Sequence, residues 1–371
     1  MTSTRIVKLD PEKPQQDYLD EAADILKRGG LVIIPTETVY GIAANMLDNG
    51  ALDRLYEIKN RPKDKAFSLH IDKKEKIEEF ASAIPVSAYK LIDKFWPGPL
   101  TLILRAKKDT GNIGVRMPDN EIALKVIAQA GVPIVCPSAN ISGKPAPINF
   151  DQAIKDLNGL VNFAIDAGST KLQVESSVVD LTVMPAQILR EGAIKKEDIL
   201  NTIQKKILLF VCTGNSCRSV MAKALLEKIM KEKGRNDVEV LSAGIMMMGG
   251  IGATEPTKEI LKREGMDVSA HISQRVTQDM LKKSDIILVM ERLQEKRILE
   301  IVPGAKNRLF LLKEFANPVR NNHFNLAKIS NGAKISDNGF DIYDPIGKPL
   351  GFYENTYEII KEAVERISNI I

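Results

Sequence analysis

Cysteine and histidine are scarce in this chain of 371 residues. Three cysteines, Cys136, Cys212 and Cys217, cannot build the disulfide framework of a small secreted domain, and they fit a reducing cytosol where thiols stay available for chemistry. The histidines, His70, His271 and His323, lie far apart, and no His/Cys cluster has metal-ligand spacing, so no protein-held metal is expected. Long apolar runs are missing as well. None approaches the roughly 18 residues that a membrane helix needs, and the opening "MTSTRIVKLD" lacks the apolar stretch of a secretory signal. A soluble cytoplasmic protein with no membrane partner is expected. Excess charge is absent too: a net +4 permits contact with phosphates or RNA without arguing for either.

What remains is ordinary globular composition, 44% hydrophobic and 27% charged, enough for a core in each of the two domains that this length predicts. Strand-like runs alternate with amphipathic segments throughout, the α/β signature. "DYLDEAADILKRGG" reads as a helix closed by Gly29 and Gly30, followed by the strand "LVIIP". Further strands are expected at "LTLIL", "PIVC", "FAID" and "SSVVDL". "GAIKKEDILNTIQKK", from Gly192, is charged and reads as a final helix and linker, so the expected domains are 1–203 and 204–371. The second domain opens with a strand at 207–212 and a helix from about Ser219. Strands at "VEVLSAG", "DIILVM" and "RLFLL" alternate with helices, the last being "YENTYEIIKEAVERISNII". Arg320–Phe340, rich in Asn and Gly, reads as a mobile surface loop or insertion.

The stretch "FVCTGNSCRS" carries the clearest chemistry. Cys212, five residues and then Arg218 follow a strand and lead into a helix. A loop so wound points successive backbone N–H groups at one centre, and the helix N-terminus adds its partial positive charge. Arg218 can grip an oxyanion through two nitrogens, and the setting favours a thiolate at the floor of the cradle. Attack of Cys212 on a bound phosphoryl group would give a thiophosphate, later hydrolysed. Asp344, in "DIYDPIG", is the best-placed proton donor, because the rigid Asp-Pro pair holds a carboxyl at a loop tip.

"VCTGNSCRS", "LSAGI" and "YDPIG" resemble the low-molecular-weight protein tyrosine phosphatase family from about Lys206 onward. The resemblance implies a Rossmann-like parallel sheet, with Cys212 as nucleophile, Arg218 as phosphate clamp and Asp344 as general acid. Asn215 would brace the loop and Ser219 would hydrogen-bond the thiolate. Val220 stands where the family usually has proline, and the 320–340 segment lengthens the approach to Asp344. Ile346 stands where tyrosine-specific members place a stacking aromatic, and Ser216 where many carry an aliphatic residue. Both departures are similar to the protein-arginine phosphatase branch, so phosphoarginine on a protein is favoured as substrate and phosphotyrosine is the alternative. Thioredoxin-coupled arsenate reductases share the loop but need a further cysteine pair, and none follows Cys217. Cys217 either packs or traps oxidised Cys212 as a disulfide. His271 is expected to be a structural hydrogen-bonder and His323 to have no role.

In the first half, the hydroxyls of "PTETVYG" (35–41) suit a small polar ligand. "KNRPKDKAFSLHI" (59–71) gathers Lys59, Arg61, Lys63 and Lys65, which alone would read as a solvated basic loop. With "FWPGPLTLIL", "GVRMP", "CPSANISGKPAP", "ESSVVDL" and "ILREGAI" following in order, residues 10–195 resemble the YrdC-like threonylcarbamoyl-AMP synthases. That resemblance implies a twisted mixed α/β sheet with a concave pocket. It also implies synthesis of L-threonylcarbamoyladenylate from L-threonine, bicarbonate and ATP with release of diphosphate. A partner machinery then transfers the threonylcarbamoyl group to tRNA. Thr38, His70, Arg116 and Ser176 would hold threonine; Lys59, Arg61, Lys65, Asn112, Ser138, Asn140 and Arg190 would face ATP. Mg²⁺ is expected with the ATP phosphates, and no prosthetic group is implied. Two condensations among anions need fixed cations and oriented donors more than a nucleophile. Trp96-Pro97-Gly98-Pro99 is expected to be a rigid turn and Cys136 to pack.

A bifunctional enzyme is therefore expected. The rival reading makes the first half an RNA-binding module, with tRNA or double-stranded RNA contact, that delivers the phosphatase. Such a module needs the basic residues but not Thr38, His70 or Ser176.

Overall fold

The structure is a computed structural model that describes residues 3–108, 111–246, 250–317 and 339–371. His323 and residues 320–338 of the stretch read above as a surface loop lie outside the described residues. Two compact units divide the chain, Met1–Thr202 and Ile203–Ile371, with the division inside the helix Lys196–Gln204.

Helix Gln16–Lys27 of the first unit buries Leu19, Ala22, Ala23 and Leu26, a single stripe at helical spacing. The stripe packs on Ile122, Ala123, Val126, Ile127 and Ala130 of helix Glu121–Ala130, which starts at Asn120, whose side chain accepts from Ala123 N at 3.0 Å. The first helix ends two residues before the paired glycines. Gly29 takes φ +79°, its N–H bonds Leu26 O, and Gly30 N–H bonds Ile25 O, so the glycines form the stop and not the last turn.

These two helices cover one face of a mixed sheet. Its strands run in the order Arg5–Lys8, Phe163–Asp166, Val32–Ile34, Gly41–Asn45, Ile134–Val135, Leu69–His70, Asn112–Arg116, Leu100–Ala106, Ser177–Asp180 and Gln187–Arg190, and Ala81–Ser82 pairs with Leu100–Ala106. A second cluster, including Tyr40, Leu55, Phe150 and Leu157, fills against the sheet separately from the first. His70 and Arg116 are direct partners in the parallel pair Leu69–His70 with Asn112–Arg116, which sets both side chains side by side. Trp96-Pro97-Gly98-Pro99 makes a tight turn whose Trp96 Nε1 donates to Leu100 O at 2.8 Å.

In the second unit, four parallel strands run in the order Val238–Gly244, Lys206–Cys212, Ile286–Val289, Leu309–Leu311. Strand Lys206–Cys212 is buried on both faces. Leu208, Phe210 and Cys212 enter one core, with Met221, Leu225, Tyr357 and Ile360; Leu209 and Val211 enter the other, with Ile287, Val289 and Ile298. The final helix, Leu350–Ile367, starts a turn earlier than its pattern suggested, directly after Pro349, and buries Tyr353, Tyr357, Ile360, Val364 and Ile367. The strand order reverses beside Lys206–Cys212, so Cys212 emerges at the carboxyl end of the central strand, where open α/β sheets bind ligands. Among the described residues no helix is long and apolar enough to cross a membrane.

Gly192 is the tightest backbone approach behind the first unit's site. A Cβ there would lie 2.2 Å from Glu175 O and 2.6 Å from Ser176 C, atoms that cannot yield without moving the chain. Gly192→Ala is expected to destabilise the first unit by about 1–3 kcal/mol, read as an earlier unfolding transition in a denaturant titration while the second unit's transition stays in place.

Candidate active sites

The first unit encloses a cavity of about 830 Å³, within the size range of small-molecule sites. Lys59, Arg61, Asn112, Ser138, Asn140 and Arg190 line it, and so do His70, Arg116 and Ser176. Thr38 and Lys65 do not. Thr38 is fully buried and its hydroxyl accepts from Arg116 Nη2 at 2.8 Å, while Lys65 is exposed and its carbonyl accepts from Arg61 Nε at 2.9 Å.

At the basic end, Lys59 is 3% exposed and its Nζ donates to Ser138 O (2.6 Å) and Asn140 O (2.7 Å). Burial lowers its pKa to about 8. Ser138 Oγ donates to Asn140 Oδ1 and Asn140 Nδ2 to Lys144 O, so the loop after strand Ile134–Val135 is closed by its own side chains. Arg61 lies over the Phe67 ring, which stacks on Tyr56, and this aromatic wall fixes the basic loop that charge alone would leave solvated.

At the other end, Arg116 Nη2 also meets Glu37 Oε1 at 2.7 Å, and Arg116 Nε donates to Gly98 O at 3.3 Å. His70 is 4% exposed, with burial and then the nearby Arg116 charge lowering its pKa to about 3; it is a neutral ring whose Nδ1 lies 3.4 Å from Ser68 O. Between the ends, Arg190 Nε donates to Ser176 O (2.9 Å), its Nη2 to Ser176 Oγ (3.1 Å), and its Nη1 pairs with Glu175. Ser176 Oγ also bonds Thr101 Oγ1 at 3.0 Å. Cys136 packs as expected and additionally lines the cavity; burial pushes its thiol up to about 12, so it stays protonated. Asn112 is held by Arg105 Nη1 at 3.1 Å. Glu37, Glu175 and Thr101 were missed in the sequence. Glu37 and Glu175 sit inside quoted motifs but show their role only through partners far along the chain.

The cavity's carboxylates, Asp64, Glu175 and Asp180, form no metal cluster, and among the described residues no group of three or more His, Cys, Asp and Glu is placed to hold a metal ion. No step is assigned to a protein-held metal.

In the second unit the loop closes on Cys212, which is 2% exposed. Cys212 Sγ lies 3.0 Å from Ser219 Oγ and accepts from Asn215 N at 3.3 Å. Asn215 is fully buried at φ +54°. Its Nδ2 donates to Ser219 Oγ and Ser242 Oγ, both at 3.0 Å, its Oδ1 accepts from Gln274 N at 2.9 Å, and its carbonyl lies 2.7 Å from His271 Nε2. His271 is thus the hydrogen-bonder expected. Gly244 lets this loop sit down, since a Cβ there would meet Thr213 O at 2.8 Å and Asn215 N at 3.0 Å.

Arg218 is fully buried. Nη1 donates to Ile342 O (2.7 Å) and pairs with Glu291 Oε2 (2.8 Å); Nη2 donates to Thr213 Oγ1 (3.0 Å) and pairs with Asp344. Nε has no hydrogen-bond partner among the described residues, which leaves it for an oxyanion in the loop. Glu291 and Gln294, whose Nε2 donates to Thr213 Oγ1 at 3.2 Å, were not singled out in the sequence. Cys217 is unpaired, 2% exposed and 3.3 Å from Thr254 Oγ1.

Residues 24–192 match the Sua5/YciO/YrdC family model, described as telomere recombination, and residues 207–369 match the low molecular weight phosphotyrosine protein phosphatase model. The putative threonylcarbamoyl-AMP synthase of Mycobacterium tuberculosis is 33% identical over 202 residues, 52% of this chain and 92% of that protein. The chain belongs to the Sua5/YciO/YrdC family. Its second unit is of the low-molecular-weight phosphatase family. The threonylcarbamoyl-AMP synthase of Pyrococcus abyssi is 45% identical over 190 residues, 49% of this chain and 56% of that protein. The chain thus spans about half the length of that relative, and 54% of the Bacillus subtilis one. The crystal structure of P. abyssi Sua5 complexed with L-threonine matches with a TM-score of 0.52 at 28% identity, over 83% of this chain and 99% of that one.

Asn215 ties the phosphatase loop to three other segments while holding a left-handed backbone. Asn215→Ala leaves buried donors and an acceptor unpaired and strains the backbone, at about 1–3 and 1–2 kcal/mol respectively. The second unit's denaturation midpoint is expected to fall accordingly, and an unchanged midpoint would show that the network contributes nothing.

Proposed function

We propose that the first unit forms L-threonylcarbamoyladenylate from L-threonine, bicarbonate and ATP, releasing diphosphate, and supplies a tRNA threonylcarbamoyl-transfer machinery. The observation that carries this is one cavity with two chemically distinct ends. Lys59, Arg61, Ser138 and Asn140 are read as the nucleotide end and His70 and Arg116 as the amino-acid end, with Ser176 and Arg190, hydrogen-bonded to each other, between them. Threonine nitrogen bonds bicarbonate carbon with loss of water, and the resulting carbamate displaces diphosphate at the α-phosphorus. Fixed cations offset the crowding of negative charge in that displacement. Neutral His70 accepts or donates a hydrogen bond without adding charge. Diphosphate release that requires both threonine and ATP is the test; release independent of threonine sinks the reading, and no release at all leaves the RNA-binding one.

The Lys59 pKa near 8 gives this unit a pH signature. Its ammonium is mostly present at pH 7 and mostly lost at pH 9, so KM for ATP is expected to rise up to about tenfold across that interval. Lys59→Met is expected to have a raised KM already at pH 7 and to lose the dependence.

For the second unit we propose a cysteine-dependent phosphatase acting on protein phosphoarginine. Cys212 sulfur bonds phosphorus as the bond from phosphorus to the leaving nitrogen breaks. Asp344 delivers a proton to that nitrogen, and water then hydrolyses the thiophosphate. Arg218, through the Nε that has no other partner among the described residues, holds an equatorial oxygen. The loop's small Ser216, 7% exposed, and the exposed aliphatic Ile346 support a guanidine leaving group over a phenol, which would want a flat stacking partner. Phosphate release from phosphoarginine peptides is expected to exceed that from phosphotyrosine peptides, and Cys212→Ser to lower it at least about a thousandfold. The reverse preference would replace the substrate and keep the mechanism.

A further inference from the structure

Glu37 is 2% exposed, does not line the cavity and lies against Arg116, itself 5% exposed. Their 2.7 Å contact is a charge contact: neither Glu37 oxygen makes an aligned hydrogen bond among the described residues. Buried ion pairs of this kind commonly return no more than their desolvation costs. Stability therefore gives no reason for a carboxylate here.

The accounting of Arg116's nitrogens gives one. Nη2 is taken by Glu37 and by Thr38 Oγ1, and Nε by Gly98 O. Nη1 has no hydrogen bond among the described residues, and Arg116 lines the cavity. A guanidinium is planar, so fixing Nε and Nη2 fixes where Nη1 points. The segment that does this is itself rigid. Thr36 Oγ1 accepts from Thr38 N (3.3 Å) and Val39 N (3.2 Å), Glu37 O accepts from Leu172 N (2.8 Å), and Thr38 O accepts from Thr170 Oγ1 (2.8 Å).

We propose that Glu37 is a positioning residue for amino-acid recognition, holding Arg116 from behind the cavity wall so that Nη1 is the nitrogen that meets the ligand's carboxylate. This rests on the threonine reading of the cavity. It also sorts the two anionic ligands by position. Arg116, its charge balanced by Glu37, draws phosphate weakly and binds a carboxylate that reaches the right atom, whereas Lys59 and Arg61 form no ion pair among the described residues and donate to carbonyl oxygens instead.

The test is calorimetric binding of L-threonine and, separately, of ATP to the full-length wild type, Glu37→Gln and Glu37→Asp. Glu37→Gln is expected to weaken threonine at least about tenfold, the scale of a lost hydrogen bond to a charged group, with the ATP Kd within about twofold. Glu37→Asp, which keeps the charge, is expected to recover most of the loss. Threonine bound by Glu37→Gln as tightly as by wild type, or more tightly, overturns the proposal and leaves the cavity reading intact. Equal weakening of ATP and threonine also overturns it, since that marks a structural role. No threonine binding by wild type removes the cavity reading and this one with it. Should Glu37→Gln fail to fold by circular dichroism, Thr38→Val removes the other acceptor on Nη2. It is expected to weaken threonine about fivefold with ATP retained, and unchanged threonine affinity in that variant overturns the proposal.

Discussion

A guanidinium withdrawn from water keeps its charge, and it must be held by acceptors on every side that does not face a ligand. Arg116 and Arg218 both meet this constraint, and the surrounding structure follows from how they do. Arg116 takes its acceptors from the "PTET" turn and from Gly98 in the Trp96–Pro99 turn. Arg218 takes its from Ile342, Thr213, Glu291 and Asp344. In each case the protein occupies two of the three nitrogens and leaves one without a hydrogen bond among the described residues.

The two units solve the problem with different scaffolds. In the mixed sheet, register pairs His70 with Arg116, and the cations that would face ATP come from loops at strand ends, one stiffened by Phe67 and Tyr56. In the parallel sheet, a strand buried on both faces aims Cys212 at the point where strand order reverses, and helix Arg218–Glu232 brings its N-terminus to the same place. Glu291 sits just past the end of the neighbouring strand Ile286–Val289, which is why it reaches Arg218.

Small residues decide how closely these parts approach. Gly244 lets the phosphatase loop descend onto strand Val238–Gly244, and Gly192 lets the chain pass against Glu175 and Ser176. Gly41 does the same beside Cys136, where a Cβ would lie 2.4 Å from the thiol. A side chain at any of the three would displace a residue of the site, so packing and chemistry are one constraint there.

The sequence by itself determined what is local. Cys212 to Arg218 is a contiguous loop between a strand and a helix, so its residue types and spacing already encode an anion cradle, and the strand and helix periodicities set the α/β class. Helix Gln16–Lys27 was legible from its apolar stripe, and its end from the paired glycines, because Gly29 takes the left-handed turn that closes a helix at no steric cost. Only the tertiary structure decided which side chains line the cavity and which stand behind its wall. It set Thr38 behind Arg116 and Lys65 outside the cavity wall. It brought Glu37 to a residue 79 positions away and Glu291 to one 73 away, and it set His271 under Asn215. The reason is physical: a motif fixes the order of donors along a chain, while a buried charge is satisfied by whatever carboxylate the sheet register carries to it, and register has no local spelling.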